Sequence, residues 1–158
     1  MARELFTTWG EYQAGIDRLL GMAGSEVRIY DKDLSLLKLD GGFRLEQINR
    51  LLRGNRPGTL HIALRDAEPF KHYQPRLLAL YATHAHAMAV QQTPEHLAGL
   101  RDAMILVDGR HGLIRFDQEQ PRAKLLTDEV EELLPYYRRF EEIWNEGGIP
   151  VSPTTLGL

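Results

Sequence analysis

Leu100-Arg101-Asp102-Ala103-Met104-Ile105-Leu106-Val107-Asp108-Gly109-Arg110-His111-Gly112-Leu113-Ile114 is the stretch from which the fold can be read. Residues 104–107 are wholly apolar, which predicts a strand buried on both faces. Asp108-Gly109-Arg110-His111-Gly112 has hairpin-turn chemistry, and residues 112–116 read as the returning strand. Upstream, apolar residues alternate with turn signals. Trp9, Tyr12, Ile16, Leu19 and Leu20 recur at helical spacing. Thr7 or Thr8 can cap that helix, with Glu11 three residues after Thr8 in the capping-box pattern, and Gly21 and Gly24 end it. Strands are predicted over residues 26–30, 60–64 and 87–91. A second helix is predicted over 43–53, and a third over 69–83 with Pro75 in its first turn. Residues 34–39 are apolar without a clear period, and residues 94–100 read as a short helix or loop. A last helix over 128–145 carries the stripe Val130, Leu133, Leu134, Tyr137, Phe140, Ile143 and Trp144. The alternation predicts an α/β domain, a mixed β-sheet flanked by helices. The apolar tail, residues 149–158, is expected to pack on the body.

Composition bounds the chemistry. The chain has 158 residues, close to the ~150 of one domain, so residues 1–158 are expected to form a single domain. There are no cysteines, which excludes disulfides, thiolate metal sites and cysteine nucleophiles. The net charge of −3 does not by itself attract nucleic acid. No apolar run approaches the ~18 residues of a membrane span. Met1-Ala2-Arg3-Glu4 has no signal-peptide character, so a cytoplasmic location is expected. Ser25, Ser35 and Ser152 are the only serines, and none lies in a nucleophile elbow. Walker and Gly-x-Gly-x-x-Gly loops are missing from the sequence.

Three predicted strands exit in an aspartate: Asp31, Asp66 and Asp108. If those strands run parallel side by side, the carboxylates meet beyond their carboxyl ends and suit Mg²⁺. A strand-exit aspartate more commonly opens a turn or caps the next helix. His84 and His86 form the one close histidine pair, and His96 and His111 complete no ligand set by spacing. Arg101, Arg110, Arg115 and Arg122, with Lys124, gather around the last strand pair. Guanidinium groups there suit phosphate, but Asp102, Asp108, Asp117 and Glu119 are interspersed.

The quoted stretch resembles the motif region of the phospholipase D superfamily. That family has a strand bearing His-x-Lys-x-x-x-x-Asp, then a hairpin, then a Gly-Ser-x-Asn-like run. The helix ending Phe140-Glu141-Glu142-Ile143-Trp144 is similar to one that follows in the family. The resemblance implies a phospholipase D-like half of single-motif type, whose two copies meet at a two-fold axis as a homodimer. Setting Asp108 on the motif aspartate puts Arg101 at the histidine position and Ala103 at the lysine position. Arg115, Phe116 and Gln118 then replace Gly, Ser and Asn. The family's histidine is the nucleophile that forms a phosphohistidine, and arginine cannot take that role. The expectation is a catalytically degenerate domain acting as a binding or assembly module, with a residual phosphate site at Arg101, Arg115 and Arg110 and no cofactor. Two alternatives stay open. One is a metal-dependent phosphohydrolase or nuclease using Asp31, Asp66 and Asp108, or unorthodox phosphodiesterase chemistry at Asp108, His111 or His96. The other is non-catalytic nucleic-acid binding.

Overall fold

Strand alternation sends successive side chains to opposite faces, and here the two faces feed two cores. The structure, a computed structural model, describes residues 1–154. Its strands are β1 (Ala2–Phe6), β2 (Glu26–Asp31), β3 (Thr59–Leu64), β4 (Met88–Gln92), β5 (Ala103–Val107), β6 (His111–Arg115), β7 (Ala123–Thr127) and β8 (Ile149–Pro150). Its helices are α1 (Trp9–Met22), α2 (Gly42–Leu52), α3 (Glu68–Tyr73), α4 (Pro75–Thr83) and α5 (Val130–Trp144). All strands join one sheet in the order β1-β7-β6-β5-β2-β3-β4-β8. Among the described residues, only β2, β3 and β4 run parallel, and every other pairing is antiparallel.

On one face Val27, Ile29, Leu60, Ile62, Ile105 and Leu113 pack beneath α1, α2 and α4. On the other, Tyr30, Ala63, Met104, Leu106 and Ile114 pack against Leu133, Phe140 and Ile143 of α5. Gly112 lets α5 approach: a Cβ there would stand 2.5 Å from a Leu133 methyl group. Phe140 stacks on Trp144 with ring centroids 5.8 Å apart. The Thr8–Glu11 capping box forms at the start of α1 as expected.

The helix predicted over residues 69–83 is two helices. Gln74 leaves the helical region at φ −130° and ψ 61°, because the ring of Pro75 clashes with a helical residue before it. Pro75 then opens α4. Residues 35–37 form one 3₁₀ turn. The strands β1 and β7 are additional to the sequence reading. In the tail, β8 pairs with β4, and the Tyr81 hydroxyl donates to the Val151 carbonyl at 2.8 Å. The remainder of the expected tail, residues 155–158, lies outside the described residues. Among the described residues, no helix is long and apolar enough to cross a membrane.

Candidate functional site

Strand direction decides which residues meet. Because β5 runs against β2, Met104 sits opposite Tyr30, and Val107 sits opposite Val27. Asp31 and the start of β5 therefore share one pole of the sheet, while Asp108 lies at the other beside Glu26. This corrects the metal reading of Asp31, Asp66 and Asp108, whose parallel-strand premise fails at β5. Among the described residues, no group of three His, Asp or Glu side chains is placed to hold a metal ion.

Asp108 is a structural clamp. Its carboxylate accepts from the backbone N–H groups of Gly24, Ser25 and Glu26 at 2.8–2.9 Å, and from the Ser25 hydroxyl at 3.0 Å. Burial alone would push its carboxyl up, but these donors together hold it below the usual carboxylate range. Asp66 closes a turn instead, accepting from the Glu68 N–H at 3.0 Å. His111 lies at the Asp108 pole, where its Nδ1 accepts from the Asp128 N–H at 3.1 Å. That bond fixes the ring in a backbone contact away from the pole of Arg101.

The motif pole is built from the end of β2, the start of β5 and the end of β6. Ala103 pairs directly with Arg115 across the β5–β6 ladder. Arg115 is 1% exposed, and its guanidinium donates to Asp31 at 3.3 Å and to the Asp117 carbonyl at 3.0 Å. The aromatic faces of Trp9 and Tyr12 lie 5.6 and 5.1 Å from its Cζ. Burial pushes the Asp31 carboxyl up, opposed by the Leu34 N–H and by Arg115. Arg101 remains half exposed and grips Asp117 with Nε at 2.6 Å and a second nitrogen at 3.2 Å. The bonds from Arg101 hold Asp117 below the ordinary range. Arg110 is at the opposite pole, paired with Asp128 at 2.6 Å. The expected anion site at Arg101, Arg115 and Arg110 is therefore not assembled: one guanidinium is sealed, one is paired at the surface and one is at the far end.

The α5 side of the motif pole holds a cluster that the sequence did not reveal. Arg139 clamps Asp102 with two bonds of 2.8 and 3.0 Å. Arg65 donates to the Asp102 carbonyl and to Gln118, with its Cζ 5.0 Å from the Tyr30 ring centre. The Tyr30 hydroxyl is buried without a hydrogen-bond partner among the described residues, and burial raises its ionisation above the phenolic range. These residues are far apart in sequence, and no local pattern joins them.

His84 and His86 stand with ring centroids 6.3 Å apart and gather no third ligand among the described residues. His96 bonds Glu146 at 3.1 Å on the surface.

A family model described as a domain of unknown function (DUF7931) matches residues 10–151. No curated protein matches the chain. Among solved structures, TrmBL2, described as an archaeal chromatin protein with a novel mode of DNA binding, aligns with a TM-score of 0.70 at 11% identity. That alignment covers 96% of this chain and 54% of TrmBL2. Nuc from Salmonella typhimurium, a phospholipase D family member, aligns with a TM-score of 0.65 at 10% identity, covering 95% of this chain and 97% of Nuc. Phosphatidylserine synthase from Haemophilus influenzae aligns at 0.60 and 14% identity, covering 90% of this chain and 37% of the synthase. The chain thus spans about half of the chromatin protein and nearly all of Nuc. The shared feature is the fold, which is phospholipase D-like.

Proposed function

The chain belongs to the DUF7931 family, and on that premise we propose that it is a phospholipase D-like domain without phosphohistidine chemistry, working as a binding or assembly module. One observation carries this reading. The motif lysine position is Ala103, and the Arg115–Asp31 pair occupies the adjoining space. Neither His nor Lys stands at positions 101 and 103 to attack or to hold a phosphodiester. The pole is instead neutralised by its own pairs, Arg101–Asp117, Arg139–Asp102 and Arg115–Asp31. Of the candidate arginines, Arg101 is the one at this pole that still offers an anion a surface contact.

The assembly is a homodimer meeting at the motif pole, where β5 begins and β6 ends, as the single-motif resemblance implies. Phe116, at the end of β6, is 46% exposed beside this pole and supplies an apolar contact. Light scattering after size exclusion is expected to give twice the chain mass for the native protein and a monomer for Phe116→Asp. A native monomer throughout the micromolar range would overturn the assembly reading.

A second reading, nucleic-acid binding without catalysis, is favoured by the likeness to TrmBL2. It requires DNA affinity that falls steeply with salt. An absence of binding at low salt removes it.

A further inference from the structure

Away from the motif pole, a cleft of about 280 Å³ opens where the β2–α2 loop meets α3 and the start of α4. Gln74, Asp40, Lys38, Tyr73, Leu39 and Pro69 line it. Gln74 is 7% exposed, and its side-chain carbonyl oxygen is buried with no donor among the described residues. Buried polar atoms are nearly always bonded, and an exception in a residue that lines a cleft marks a side chain that gains a bond by turning its oxygen to a ligand's N–H. Asp40 lines the same cleft. One of its oxygens accepts from the Leu77 N–H at 2.8 Å, and its charge makes a cationic N–H the best donor. Lys38 also lines the cleft, and its exposed ammonium calls for a carboxylate. Leu39, Pro69 and the 79% exposed ring of Tyr73 add an apolar wall. The volume falls just below the ~300–1,000 Å³ of drug-sized sites, which limits the ligand's size.

We propose that this cleft binds a free α-amino acid with an apolar side chain. Its ammonium bonds Gln74 and Asp40, its carboxylate faces Lys38, and its side chain lies on Tyr73 and Pro69. The site is independent of the motif pole and does not rest on the assembly reading.

Thermal-shift titration of the full chain with each proteinogenic amino acid tests it. At least one apolar amino acid is expected to raise Tm saturably in the millimolar range. Lys38→Ala should leave the ligand-free Tm unchanged and weaken binding about tenfold. Gln74→Leu should raise the ligand-free Tm, by removing an unpaired buried acceptor, and abolish the response. Should Gln74→Leu fail to fold, Lys38→Ala still decides. The proposal is overturned if no amino acid shifts Tm, or if the shift survives unchanged in Lys38→Ala or Gln74→Leu.

Discussion

Arg115→Leu is expected to destabilise the fold by about 3–5 kcal/mol, the range for removing one partner of a buried ion pair. For a chain of this size that is a Tm fall of roughly 6–20 °C. The reason is the carboxylate left behind. Asp31 is 2% exposed, and its remaining donors are the backbone N–H groups of Leu34 at 2.8 Å and Asp33 at 3.3 Å. Leucine also forfeits the contacts of the guanidinium with Trp9 and Tyr12. Arg115→Lys should recover little, since an ammonium cannot spread between two aromatic faces and two acceptors as a planar fork does. The double variant Arg115→Leu/Asp31→Leu should recover most of the loss, because a buried pair replaced by apolar groups costs far less than a broken one. Urea unfolding of the three variants checks this. A single Arg115→Leu variant within about 1 kcal/mol of the native protein would mean that the pair is not sealed.

Asp108→Ala is expected to cost about 2–4 kcal/mol, since three backbone N–H groups and one hydroxyl lose a charged acceptor together. Asp108 also adopts φ +56°, a conformation that asparagine tolerates better than alanine. Asp108→Asn should therefore lose less. The pH dependence has a definite sign. The folded-state carboxyl of Asp108 is lowered, so its contribution is full above the unfolded pKa near ~4 and fades as pH falls toward the depressed value. Asp31 works in the opposite sense. Its carboxyl is raised, so the folded state binds that proton more readily, and its contribution declines as pH rises through the window above ~4. Urea midpoints between pH 3 and pH 7 should thus show a flatter acid limb in Asp108→Asn than in the native protein. An unchanged acid limb would contradict the clamp.

The fold was legible because its strongest signals are local. The apolar run of β5, the turn at Asp108-Gly109 and the stripe of α5 each carry their own period or turn chemistry. Strand direction was not legible, and it decided the site. Nothing in Met104 to Val107 says that β5 runs against β2, and that single fact separates Asp108 from Asp31. Short strands with mixed polarity were also silent. In β1, Arg3 and Glu4 break the apolar pattern, and Lys124 does the same in β7. Arg101, Arg110 and Arg115 looked like a cluster because they are close in sequence. A five-residue strand between Arg110 and Phe116 is enough to carry two of them to opposite ends of the sheet.

With Arg101 and Ala103 at the motif positions and the Arg115–Asp31 pair buried beside them, the chain is expected to lack phosphodiester chemistry. Turnover of bis(p-nitrophenyl) phosphate by the native protein, with and without Mg²⁺, tests it most directly. The expected result is no hydrolysis above that of a protein-free control at any pH between 5 and 9. Hydrolysis that disappears in His111→Ala or His96→Ala would contradict it.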